Sequence, residues 1–249
     1  MASSQVLSFT RTAIGQKALV AVTGIILYGF AFFHALGNLQ VFLGREAFNQ
    51  YAEMLQSMPK LVWATRLVLL VALITHVVLV VRLARRAREA KPAHYRFEER
   101  MDPSEGILRR YARQTMLLSG LIILAYVVFH LMHLTVGAVP GLFFVRGMAY
   151  ENLIYGMRTP WVAGFYLFAN LLLGLHLYHG CRALFQTLGL RHPQWDRRSF
   201  AMALSITAVI VGTNVIIPIA GLTRLVGGEL PDDPQELFKA GEEKHTLSE

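Results

Sequence analysis

Long apolar runs separated by short polar segments dominate this chain. Five of the runs contain the roughly 20 residues that a helix needs to cross the hydrocarbon core of a bilayer. They are continuous rather than alternating in polarity, and lipid offers no partners to open strand edges, so we expect helices and not strands. The predicted spans are residues 18–41, 61–83, 116–136, 161–184 and 200–222.

The predicted organisation is one all-α integral membrane domain over residues 1–222, followed by a polar, acidic and solvated tail over residues 223–249. Hydrophobic residues make up 54% of the chain and charged residues 16%, as expected for a protein that is mostly embedded in lipid. The first run is too long for a cleaved signal peptide, so the first span should stay. The single cysteine, Cys181, excludes an internal disulfide, and the Cys-x-x-Cys-His pattern of covalent haem attachment is missing.

Basic residues are concentrated in the segment after the second span. This segment contains Arg82, Arg85, Arg86, Arg88, Lys91, Arg96, Arg100, Arg109, Arg110 and Arg113. Such loops are cytoplasmic by the positive-inside rule, which predicts a cytoplasmic amino terminus and an external carboxyl terminus. The net charge of +8 therefore reflects how the chain is oriented in the membrane. It does not indicate nucleic-acid binding, because it is divided among loops that flank the membrane.

Four of the predicted spans each contain a histidine well inside the apolar run. An ionisable side chain in hydrocarbon is costly, so each is a candidate functional residue. His34 and His130 lie about 24 Å and 21 Å along spans that run outward, at a rise of about 1.5 Å per residue. His76 and His176 lie about 22 Å from the outer ends of spans that run inward. The pattern predicts an outer pair and an inner pair.

Two histidine pairs at two depths favour two stacked haems, each iron taking one imidazole from either side. A proton relay is an alternative, but relays normally include Asp or Glu, and the predicted spans contain neither. Packing histidines are another alternative. His133 and His179 each lie one turn beyond a proposed ligand, and depth alone does not reject them. Gly24 and Gly120 precede His34 and His130 by ten residues each, and this shared spacing favours His130 over His133.

Several short motifs follow one another in a fixed order along the spans. They are Gly24-Ile-Ile-Leu-Tyr-Gly29 and Phe33-His34-Ala-Leu-Gly37-Asn38-Leu, then Phe48-Asn49-Gln-Tyr51-Ala, Thr75-His76, Ser119-Gly120, Phe129-His130-Leu-Met-His133, Leu175-His176-Leu-Tyr-His179-Gly180-Cys-Arg182 and Gln186-Thr-Leu-Gly189. Their order and spacing over residues 8–222 resemble the cytochrome b membrane anchor of succinate dehydrogenases and fumarate reductases, in its five-helix, two-haem form. No single motif is decisive.

The resemblance implies two haem b groups and their ligands. His34 and His130 would hold the outer haem, and His76 and His176 the inner one, which agrees with the depths. Arg182, six positions after the last ligand, would meet a haem propionate. Its alternative role is that of a basic anchor at the membrane surface.

The resemblance also implies a division of labour between subunits of a bacterial cytoplasmic membrane complex. A flavoprotein and an iron–sulfur subunit would dock on the cytoplasmic face and interconvert succinate and fumarate. This chain, which lacks the cysteines and phosphate loops for their cofactors, would carry electrons between the iron–sulfur subunit and membrane quinone, with menaquinone the expected type. Glu53 and Arg66 are the candidate quinone-site residues, although an ordinary surface role is the stronger interpretation for both.

Two other functions compete with this one. The first is that of the quinone-reactive cytochrome b subunit of a hydrogenase or formate dehydrogenase, whose soluble partner would dock on the outer face. Alternatively, the chain would be a non-redox membrane protein, such as a carrier, in which the histidines pack a polar interior. Such a protein would be colourless when purified.

Overall fold

The computed structural model describes residues 12–90, 107–187, 189 and 196–237, without the side chains of 107–115, 182, 196, 197 and 199. Over this part of the chain every regular element is helical. The helices are α1 (Ala13–Asn38), α2 (Arg45–Gln56), α3 (Pro59–Ala90), α4 (Ile107–Leu131), α5 (Ala149–Arg158), α6 (Pro160–Thr187) and α7 (Asp196–Leu222). A 3-10 turn (Leu39–Leu43) continues α1, and a π-helical turn (Met132–Val136) continues α4.

Among the described residues, five helical segments are long and apolar enough to cross a membrane. They are Ala13–Leu43, Pro59–Ala90, Met116–Val136, Pro160–Thr187 and Phe200–Leu222. Each contains one of the predicted spans, so the prediction of an all-α membrane protein with five spans is confirmed. Only 11% to 28% of the most apolar window of each is buried within the protein. The apolar surface that remains outside is what lipid would cover.

The described residues form two compact units, each of which takes parts of several helices. The first unit comprises Met1–His34, Lys60–Ile122 and Leu172–Val211, and the second comprises Ala35–Pro59, Ile123–Leu171 and Gly212–Glu249. His34, His76 and His176 belong to the first unit. His130 and His133 belong to the second.

The core of the second unit is built around the short helix α5. Tyr150, Ile154 and Met157 on this helix are almost completely buried. They pack with buried side chains that include Phe48 of α2 and Val162 of α6. The hydropathy pattern did not predict α2 or α5, because both are short and carry polar residues between their apolar ones.

The first part of the polar tail is docked, contrary to the expectation of a solvated segment. Val226 and Leu230 are buried in the core of the second unit. The Arg158 guanidinium at the end of α5 donates hydrogen bonds to the carbonyls of Gly227 (2.6 Å) and Pro231 (2.8 Å). The docking of these two apolar residues was not predicted, because the tail around them is acidic. Residues 238–249 lie outside the described part of the chain.

Candidate functional site

His76 of α3 and His176 of α6 both belong to the first unit. The depth argument assigned these two histidines to the inner pair. Both lie in helices that are long and apolar enough to span a membrane.

A hydroxyl side chain from a neighbouring helix holds each of these imidazoles. Thr23 Oγ1 on α1 lies 3.2 Å from His76 Nδ1. Ser119 Oγ on α4 lies 3.4 Å from His176 Nδ1. Both hydroxyl residues are buried, at 7% and 3% exposure. The same arrangement is therefore built twice, by α1 with α3 and by α4 with α6.

These hydroxyls determine which ring nitrogen carries hydrogen. Thr23 Oγ1 lies 2.8 Å from the Leu19 carbonyl, and Ser119 Oγ lies 3.0 Å from the Met116 carbonyl. Because each hydroxyl donates its only hydrogen to its own helix, it can only accept from the imidazole, whose Nδ1 must carry hydrogen. The lone pair of the neutral ring is then on Nε2. This is the form that binds a metal, with the other nitrogen held by an acceptor.

Glycines next to these hydroxyl residues give the imidazoles room. A Cβ on Gly24 would lie 3.5 Å from His76 Cε1, and a Cβ on Gly120 would lie 3.3 Å from His176 Cε1. In the sequence these glycines stand ten residues before His34 and His130, on the same helices. The structure places them against His76 and His176 instead, so their spacing is no argument for His130 over His133.

The donor set at His76 and His176 fits a haem better than a bare ion. Within the described residues, no group of three or more His, Cys, Asp or Glu side chains is arranged to hold a metal ion. A six-coordinate haem takes only two ligands from the protein, since the macrocycle supplies the other four. The imidazoles of His76 and His176, each with a hydroxyl at Nδ1, would supply those two.

Two further candidates lie on α6 beyond His176. His179 is half-buried and close enough to His176 for their charges to interact. Arg182 belongs to the same helix, but its side chain lies outside the described residues. Its contact with a haem propionate therefore stays a prediction.

In the second unit, His130 and His133 share one hydrogen-bond partner. The Tyr166 hydroxyl of α6 lies 3.2 Å from His130 Nδ1 and 3.0 Å from His133 Nδ1. His133 is only 1% exposed. Its other edge packs on α5, where a Cβ on Gly156 would lie 2.5 Å from His133 Nε2. Protein thus surrounds both nitrogens of His133, which favours the prediction that this residue is not a ligand.

His34, the remaining candidate ligand, lies in the first unit. Its ring stacks on that of Phe30, with centroids 5.3 Å apart and planes 16° apart. Phe30 also lines a shallow apolar groove of about 370 Å³ between α1 and α3.

The two candidate quinone-site residues belong to different units. Glu53 of α2 lines an open cavity of about 350 Å³ in the second unit, together with polar side chains that include Asn49 and Gln50. Arg66 of α3 belongs to the first unit, and its guanidinium lies 5.1 Å from the centre of the Trp63 ring. Both are exposed.

The second unit contains a buried polar cluster that was not predicted from the sequence. Glu151 of α5 is fully buried and pairs with Arg45 Nε. Its other oxygen accepts a hydrogen bond from Asn49 Nδ2 at 3.0 Å. Asn49 Oδ1 in turn accepts from the Tyr150 backbone N–H at 2.8 Å. The motif that contains Asn49 was the only sequence signal for this cluster.

Comparison of the chain with protein-family models, with curated proteins and with solved structures found no match. The functional argument therefore depends on the side chains and their geometry.

Proposed function

We propose that this chain is a dihaem cytochrome b that anchors a succinate:quinone oxidoreductase to the membrane and carries electrons between its iron–sulfur subunit and quinone. The complex is a succinate dehydrogenase or a fumarate reductase. The observation that supports the proposal most is the duplicated arrangement of His76 and His176, each with its Nδ1 hydrogen-bonded to a hydroxyl on a neighbouring helix. The choice of this family depends on the sequence motifs of the chain, whose order and spacing resemble those of the family.

One haem is assigned to His76 and His176 and the other to His34 and His130. Bound haem supplies reversible one-electron transfer, while the protein tunes it through ligands, hydrogen bonds and burial. Thr23 and Ser119 orient the first pair of imidazoles and keep Nε2 available. The second pair is supported by the matched depths of the two histidines and by the resemblance.

The proposed topology places the basic segment 82–113 in the cytoplasm of a bacterium, where the flavoprotein and iron–sulfur subunits dock. His76 and His176 then lie nearer that face and receive electrons first when succinate is oxidised. Quinone, with menaquinone the expected type, enters from the bilayer toward the opposite face. Glu53 and Arg66 are candidate quinone-site residues.

The purified chain is expected to bind two b-type haems. Pyridine haemochrome analysis of the protein in detergent, referred to its concentration, should give two haems per chain. One haem, or none, would contradict the proposal. The intact complex should also reduce a quinone analogue with succinate, and a haem-containing complex that oxidises hydrogen or formate instead would support the competing function.

Thr23→Val and Ser119→Ala should disturb the same haem to a similar extent. Each removes the acceptor of an imidazole Nδ1–H, and loss of such partners commonly weakens metal affinity or activity about 10- to 100-fold. We expect a higher midpoint potential for this haem in both variants, because a less basic imidazole stabilises the ferric state less. Redox titration of the α-band should resolve the shift from the second haem.

Thr207→Val is the matched control for these two variants. Its hydroxyl is also buried and also donates to its own helix, at 2.9 Å from the Ala203 carbonyl, but its other neighbours are the Tyr28 hydroxyl and the Cys181 thiol rather than an imidazole. Both haem potentials should stay unchanged in this variant. Equal potentials in Thr23→Val, Ser119→Ala and the control would refute the role of the hydroxyls.

A further inference from the structure

The Tyr166 hydroxyl lies between two imidazole nitrogens. It is 3.2 Å from His130 Nδ1 and 3.0 Å from His133 Nδ1, and Tyr166 itself is 5% exposed. A hydroxyl carries one hydrogen, so it can donate to only one of the two imidazoles. The other imidazole must donate to the tyrosine oxygen.

Ligation by His130 decides the direction of these bonds. A neutral imidazole that binds a metal through Nε2 carries its hydrogen on Nδ1. His130 then donates to the Tyr166 oxygen, and the Tyr166 hydroxyl donates to His133 Nδ1. This leaves the hydrogen of His133 on Nε2.

The other ring nitrogen of His133 is a buried polar atom. His133 Nε2 is among the few buried side-chain polar atoms that have no hydrogen-bond partner within the described residues. Buried polar atoms are nearly always paired, so an exception needs an explanation. The explanation here is that His133 is fixed as the acceptor for Tyr166 on its Nδ1 side, while its Nε2 side packs closely on Gly156.

We propose that Tyr166 is a positioning residue for the haem ligand His130 and that His133 is the acceptor that orients the Tyr166 hydroxyl. The inference rests on the proposed function, because it assigns a haem to His130. It assigns His133 a role in the same network, and it makes Tyr166 the counterpart in the second unit of Thr23 and Ser119 in the first.

Tyr166→Phe tests the inference, since it removes the hydroxyl and keeps the ring. We expect two haems per chain and a rise in the midpoint potential of one of them. Removal of such a partner changes metal affinity at least about tenfold. A tenfold change in the equilibrium between ferric and ferrous haem corresponds to about 59 mV in midpoint potential for one electron. The shifted haem should be the one that is missing from His130→Ala and should differ from the one shifted by Thr23→Val.

Tyr126→Phe is the matched control. The Tyr126 ring lies 5.1 Å from the Tyr166 ring and 5.8 Å from the His130 ring, centre to centre. Its hydroxyl, however, accepts from Asn170 Nδ2 at 3.4 Å. This variant should leave both potentials unchanged. A shift in the control equal to that of Tyr166→Phe would show that general packing, and not the hydrogen bond, is responsible.

His133→Leu provides a second test that does not depend on the folding of Tyr166→Phe. Without this acceptor the Tyr166 hydroxyl is no longer held in place and accepts less well from His130 Nδ1–H, so the same haem should shift in the same direction with haem content unchanged. Unchanged potentials in either variant overturn the inference, as does stoichiometric loss of a haem from His133→Leu. An unaltered chain that binds no haem would instead defeat the proposed function itself.

Discussion

His176→Ala is expected to remove one of two haems and to leave the other. On the proposed assignment, the iron held by His76 and His176 would lose one of its two protein ligands, while His34 and His130 would still hold the second haem. Haem content should fall from two per chain to one. His76→Ala should remove the same spectral component, because the proposal assigns His76 and His176 to one haem.

His179→Gln is the control for this experiment. His179 lies on the same helix, one turn beyond His176, and is also half-buried. A side chain one turn away lies on roughly the same face of a helix, so proximity to the site is expected and coordination is not. Haem content should remain two. If His34→Ala and His176→Ala removed the same spectral component, the proposed pairing would be wrong.

The five spans were predictable because lipid imposes one requirement on about 20 consecutive residues. The mean hydropathy of such a window changes little with any single residue, so a helix-breaking residue such as Pro218 within α7 does not hide the span. The short helices α2 and α5 carry no comparable signal. Their positions depend on tertiary partners, such as the pair of Arg45 with Glu151, and these partners are 106 residues apart.

The candidate histidines could be named from the sequence, but their surroundings could not. Depth along a helix follows from residue counting, which put His76 and His176 at one level. The direction of a side chain around the helix axis depends on which helices are neighbours. Residue counting therefore related Gly24 to His34 on its own helix, whereas the structure shows Gly24 against His76 of α3.

The choice between His130 and His133 shows the same limit. The two residues are three positions apart and share the Tyr166 hydroxyl. What separates them is the packing of His133 on Gly156 of α5. Because α5 was not predicted, no sequence argument contained this contact.

Arg45→Ala should cause the largest loss of stability among substitutions outside the spans. Glu151 is fully buried, whereas the Arg45 side chain is 46% exposed. Removal of the arginine leaves a buried carboxylate to which Asn49 still donates, and this costs about 3 kcal/mol, the low end for a buried pair because water reaches the arginine side. The free energy of unfolding in mixed detergent micelles should fall by that amount.

The double variant Arg45→Ala with Glu151→Gln separates the buried charge from lost packing. Glutamine has nearly the same shape as glutamate, and it can still accept from Asn49 Nδ2 through its amide oxygen. Neutralising the side chain removes the unpaired charge, so the double variant should be more stable than Arg45→Ala alone. A double variant no more stable than Arg45→Ala would mean that the charge of Glu151 is not what makes the loss of Arg45 costly. The stability of the second unit would then depend on the contacts of the arginine stem rather than on the ion pair.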